Sequence, residues 1–331
     1  MPDLHFLIFT VIVLALVFDF INGFHDTANA IATSVSTRAI SPNDAILMAA
    51  VLNFLGAMYS TGVAKTIGAD IVQSANHVNE HVLIAALAGA VIWNILTWWV
   101  ALPSSSSHAL VGGVIGAVLV STGMEGLNFW GIGKIILSLV ASPLLATASG
   151  CVLMRVLYGL FGRCTPYNIN DKFKKMQLVS AATMAFSHGS NDAQKSMGII
   201  TLALLSGGYI DAFEVPFYVK VLAAVAMALG TATGGWRIIK TIGAGIFKLE
   251  PISGFAADLN SSLVIFSATL LHLPVSTTHV VSGSIMGVGV AKRIRAVRWG
   301  VAQQMLVAWL LTIPCTALMG AIVYQIVLWI F

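Results

Sequence analysis

Ten apolar stretches, too poor in charge to belong to a water-soluble fold, constrain this chain more than any other feature. They run roughly over 4–24, 43–63, 82–102, 104–122, 131–161, 177–206, 216–236, 255–273, 275–291 and 298–330. Inside lipid every backbone N–H and C=O must be satisfied by the protein itself, so apolar stretches of about 20 residues read as helices. Of 331 residues 58% are hydrophobic and 9% charged, and the mean hydropathy is +0.90; soluble domains carry about a quarter charged residues. The expected fold is therefore an all-α polytopic membrane protein with no large soluble domain. Met1–His5 lacks the basic n-region of a signal peptide, so the first helix is expected to be retained. Cys151, Cys164 and Cys315 are scattered and suggest neither a disulfide framework nor a metal site.

The basic residues predict orientation. With the N-terminus outside, the cytoplasmic loops collect Arg38, Arg155, Arg163, Lys172, Lys174, Lys175, Arg237, Lys240, Lys248, Lys292, Arg293, Arg295 and Arg298. The outside keeps Lys65, Lys134 and Lys220 together with Asp3, Asp70, Glu80, Glu125, Asp211 and Glu214. Short loops rich in Lys and Arg stay in the cytoplasm, which places both termini outside and the central loop inside.

The chain is also duplicated. Gly23-x-x-Asp26 matches Gly189-x-x-Asp192, and Lys65-Thr66-Ile67-Gly68-Ala69 matches Lys240-Thr241-Ile242-Gly243-Ala244. Pro103-Ser104-Ser105-Ser106-Ser107-His108 matches Pro274-Val275-Ser276-Thr277-Thr278-His279. The three matches keep their order. About five segments per half is an odd number, so the halves, 1–161 and 177–331, are expected to be inverted repeats joined by a polar loop at 162–176. In transporters of that architecture the substrate sits at the midplane between the halves. The short, Gly-rich stretches 103–122 and 274–291 read as re-entrant or broken helices.

An ionised Asp near the middle of a membrane helix costs about 2.5–3.5 kcal/mol. On a helix Asn22, Asp26 and Asn29 share a face at i, i+4 and i+7. Such an oxygen-rich site suits Na⁺ or a proton; a polar cluster that ties helices together is the plainer alternative, and two copies favour the ion site. In the second copy Asn191 stands for His25 and Lys195 for Asn29. Lys195 could replace a coupling cation, attract an anion, or simply neutralise Asp192. Ser105, Ser106 and Ser107, like Ser276, Thr277 and Thr278, follow a Pro and open a helix. Free N–H groups and the positive dipole end at such starts suit an oxyanion, whereas capping and packing are the structural alternative. His108 and His279 are taken first as structural donors that position the hydroxyls, and the Trp residues as interfacial anchors.

A hydrolase reading has no Gly-x-Ser-x-Gly elbow to support it. A passive anion channel would share the hydroxyls but does not require buried acids. Nothing in the chain suggests nucleic acid as a partner. The two acidic motifs and Pro274–His279 resemble the signatures of the inorganic phosphate transporter (PiT) family over nearly the whole chain. The resemblance implies an inverted-repeat, dimeric symporter, not an enzyme, that moves phosphate across the cell membrane with Na⁺ or H⁺. It implies phosphate at Ser105–Ser107 and Ser276–Thr278, and a coupling ion at Asp26, Asn29, Asn191 and Asp192, with Na⁺ at Asp26 and Asp192 as the metal expected. Asn22, His25, Gln194, Lys195, His108 and His279 are the expected modulators. His25 and the pair Gln194-Lys195 look more like the bacterial branch, which raises H⁺ coupling or a divalent metal–phosphate complex as the substrate. Some relatives carry sulfate, the alternative substrate.

Overall fold

The computed structural model describes residues 4–74, 78–163, 165–234 and 241–330, with the backbone alone at 166–168, 241 and 244. Among the described residues are eleven α-helices: α1 (Leu4–Ser36), α2 (Pro42–Ala57), α3 (Gly62–Ala69), α4 (Glu80–Trp99), α5 (Ser106–Ser121), α6 (Phe129–Phe161), α7 (Pro166–Ser206), α8 (Phe217–Thr233), α9 (Pro251–Leu270), α10 (Thr277–Lys292) and α11 (Trp299–Ile330). Thr241–Gly245 adds one π-helical turn. By length and composition α1, α4, α6 and α11 can each cross a membrane.

Three segments depart from the sequence reading. The first apolar stretch does not end near residue 24, because α1 continues to Ser36. The second is broken, since α2 and α3 meet at 72°. The expected connecting loop 162–176 is largely helix, because α7 starts at Pro166 and runs unbroken to Ser206. In the repeated Lys-Thr-Ile-Gly-Ala motif the first copy lies on α3, and the second overlaps the π turn. Arg237 and Lys240 lie outside the described residues.

The short segments behave as hairpin partners. Helices α5 and α10 have 16 residues each, about 24 Å at 1.5 Å per residue, too short for a hydrocarbon core of about 30 Å. Each follows the preceding helix after a short connection, Val100–Ser105 before α5 and Leu271–Ser276 before α10. Both turns use a left-handed residue without being glycine, Ala101 at φ 55° and His272 at φ 59°. Leu102 N then donates to Thr97 O at 2.9 Å, and Leu273 N to Ala268 O at 2.8 Å, closing the ends of α4 and α9 alike.

Packing follows a pseudo-twofold pattern. Helix α1 crosses α8 as α7 crosses α2, and the signature glycines sit at these crossings. A Cβ on Gly23 would lie 2.3 Å from Met227 O, and one on Gly189 2.2 Å from Asn53 O. The short helices are exchanged between halves. Helix α5 packs on α11 of the second half, and α10 packs on α6 of the first. Gly116 faces Ala317 O on the one side and Gly287 faces Thr147 O on the other. The long helices α6 and α11 carry internal Pro143 and Pro314 at matching places.

Two apolar cores result. One takes α1 up to Phe18 and α7 from Ala193 onward; the other takes α1 from Ala28 and α7 up to Ala185. The polar stretches 19–26 and 186–192 lie at the seam between them.

Candidate functional site

The seam is the midpoint of both long helices, and the polar residues of the two acidic motifs are buried there. Asp26 is 2% exposed and Asp192 0%. The helix starts of α5 and α10 close over them. Ser107 Oγ donates to Val275 O at 2.8 Å, and the rings of His108 and His279 lie 4.6 Å apart. The two hydroxyl clusters therefore face one another across a carboxylate pair.

Hydrogen bonds tie each carboxylate to these starts. Ser106 Oγ donates to Asp26 Oδ2 at 3.4 Å and Thr278 Oγ1 to Asp26 Oδ1 at 3.3 Å. Thr277 Oγ1 donates to Asp192 Oδ2 at 3.2 Å. One amide supports both threonines: Asn29 Nδ2 donates to Thr278 Oγ1 at 2.9 Å and to Thr277 Oγ1 at 3.4 Å. Asn22 Nδ2 reaches Asp192 Oδ2 at 3.5 Å. Asn22, Asp26 and Asn29 thus share one face of α1 and bridge to the second half.

Each carboxylate has a basic neighbour of different kind. His25 Nδ1 lies 2.8 Å from Asp26 Oδ1, and Lys195 Nζ donates to Asp192 Oδ1 at 2.7 Å. His188 adds Nε2 at 3.5 Å from Asp192 Oδ2 and is held by Asn53 through Nδ1 at 3.2 Å. Asp26, His188 and Asp192 offer ligand atoms within 4.8 Å of one another, a cluster able to hold a cation. The Oδ1 atoms of Asn22 and Asn29, on the same face of α1, have no hydrogen-bond partner.

Other expected site residues have structural tasks. Ser105 and Ser276 are N-caps, accepting from His108 N at 3.2 Å and His279 N at 3.3 Å. Ser105 Oγ also lies 2.7 Å from His108 Nδ1, so this imidazole fixes the cap. His279 instead stacks on Trp309 with centroids 3.9 Å apart. Asn191 pins the α9–α10 turn, donating to Thr269 Oγ1 at 3.0 Å and accepting from Val275 N at 3.3 Å. Gln194 faces away from the carboxylates, and its Oε1 accepts from Val63 N at 2.8 Å and Ala64 N at 3.2 Å at the start of α3.

Two buried residues escaped the sequence reading. His188 is one. Asp258 is the other, accepting from Thr33 Oγ1 while its Oδ2 has no hydrogen-bond partner. A carboxylate inside the apolar stretch 255–273 was the available signal for Asp258; for His188 it was the shared helical face with Asp192, four residues on.

A model of the phosphate transporter family matches the chain twice, over residues 22–170 and 162–320. The chain is 50% identical over 323 residues to a probable low-affinity inorganic phosphate transporter of Bacillus subtilis (strain 168), covering 97% of each. It is 46% identical to a protein of the same description from Rhizobium meliloti (strain 1021), over 95% of this chain and 94% of that one. Among solved structures it is similar to the sodium-dependent phosphate transporter, with TM-score 0.86 and 26% identity, covering 98% of this chain and 100% of the other.

Proposed function

This chain belongs to the phosphate transporter family, and from that premise we propose that it imports inorganic phosphate by symport with H⁺ or Na⁺ through alternating access. The anion binds between the starts of α5 and α10, where Ser106 and Thr278 supply hydroxyls, Ser107 and Thr277 line the same starts, and the helix ends supply N–H groups. Ser105 and Ser276 shape these starts as caps.

One observation carries the coupling. Ser106 and Thr278 each have a single O–H, and both point at Asp26. An O–H spent on a carboxylate is not available to an oxyanion. A proton or Na⁺ on Asp26 lowers the demand of that carboxylate for donors and frees both hydroxyls to turn toward phosphate. Cation and anion then bind together or not at all.

Polar bonds between membrane helices are worth about 0.6 kcal/mol on average. That is too little to offset two buried carboxylates, which favours an ion site over helix glue. Na⁺ coupling is supported by the cluster of Asp26, His188 and Asp192 and by the sodium-dependent structural relative. H⁺ coupling is supported by the imidazole beside Asp26. The distribution of basic residues among the loops supports an orientation with both termini outside the cell membrane.

The test is labelled phosphate uptake into proteoliposomes under separate Na⁺ and pH gradients, with sulfate and arsenate as competitors. Accumulation driven by one gradient is expected. Asp26→Asn should insert normally and lose concentrative uptake; normal accumulation by that variant would sink the mechanism. Competition by sulfate at equal concentration would move the substrate to sulfate, and uptake that never exceeds equilibrium would indicate a channel.

A further inference from the structure

The duplication places the same carboxylate in each half but not the same partners around it. Asp26 has the neutral amide of Asn29 one turn on, three residues away; Asp192 has Lys195 there. Lys195 is 0% exposed, and its ammonium lies 2.7 Å from Asp192 Oδ1. Burying a lysine is costly unless it is paired. The charged and titratable groups around the pair are Asp26 and His188, within 4.8 Å and 3.5 Å of Asp192 oxygens, Asp19 across from Ser196 on α7, and the imidazoles of His108 and His279 at the two helix starts. In the first half the matching place, beside Asp26, holds Asn29, whose Oδ1 has no hydrogen-bond partner.

We propose that Lys195 is a tethered counter-ion. It fills, in the second half, the position that an exchangeable cation takes beside Asp26 in the first, so the transport cycle carries one coupling cation fewer than two bare carboxylates would require. The inference rests on the cation–phosphate symport proposed above. Its physical basis is charge. Two carboxylates with one ammonium leave a net −1 before phosphate enters, whereas two carboxylates alone leave −2. A site that must accept a further anion in a low-dielectric interior recruits one more mobile cation in the second case. A direct hold on phosphate is disfavoured, because the ammonium is already committed to Asp192.

The experiment compares the wild type, Lys195→Asn, Lys195→Arg and the double variant Asp192→Asn/Lys195→Asn in proteoliposomes. Initial phosphate uptake is measured against external Na⁺ at fixed pH and against pH at fixed Na⁺, together with the charge moved per phosphate. Lys195→Asn, which copies the amide of the first half, should steepen the cation dependence by about one in Hill coefficient and add one positive charge per phosphate. Lys195→Arg and the double variant should both keep the wild-type order. An unchanged cation order and charge ratio in Lys195→Asn overturns the proposal, as does a raised order in the double variant. Should Lys195→Asn fail to accumulate phosphate, equilibrium binding of labelled phosphate to the purified variant decides. Binding that now requires Na⁺ or acid supports the tethered ion, and binding indifferent to both overturns it. Absence of phosphate uptake by the wild type would instead sink the symport reading itself.

Discussion

At the scale of single residues, the arrangement turns on Asn29. Its amide donates to Thr277 and Thr278, and each threonine in turn donates its own O–H to a different carboxylate. Thr278→Val keeps the shape and removes the donor to Asp26. A bond to the bound anion left unmade costs about 1–3 kcal/mol, which corresponds to roughly 5- to 150-fold weaker apparent phosphate affinity in uptake assays. Thermal unfolding of that variant in detergent should move little, because a bond between membrane helices is worth about 0.6 kcal/mol. Asp26, Asn29 and Asp192 were legible in sequence because a helix sets which residues share a face, and the duplication marks that face twice. The division of labour among the hydroxyls was not. Ser105 and Ser106 have the same chemistry, and only the geometry of the helix start makes one a cap and the other a donor to Asp26.

Among the elements, glycines and turns carry the packing. A Cβ on Gly116 would stand 1.8 Å from Ala317 O, with backbone rather than a flexible side chain in the way. Gly116→Ala is therefore expected to destabilise by about 1–3 kcal/mol, read as a lower unfolding temperature of the purified protein. Ala101 is the converse case. At φ 55° it holds a conformation that costs a non-glycine residue about 1–2 kcal/mol, so Ala101→Gly should raise the unfolding temperature with uptake retained. Apolar length was enough to find most helices, but it could not reveal where one segment breaks or another continues. Residues 25–36 look too polar to extend a membrane helix. They do so because the second half satisfies them, as Thr33 does with Asp258 and Asn29 with Thr278. Partners distant in sequence leave no local pattern.

For the molecule as a whole, two apolar cores meet at a polar seam, and helices α1 and α7 cross it in opposite senses. The inverted duplication was readable from three motifs in order. The exchange of the short helices was not, since nothing in a motif says which half it packs against. Separate chains ending and starting near residue 164, produced together, are expected to copurify and restore phosphate uptake, while either chain alone should fail to give a stable, active protein. Copurification through a tag on one chain, followed by uptake, checks this.

The exchange also limits what a single half can be. With α5 seated on α11 and α10 on α6, the short helix of a lone half lacks its main packing surface, which another half provides. That other half must lie the opposite way up in the bilayer. A protein built from a single half would therefore have to enter the membrane in both orientations to complete this packing.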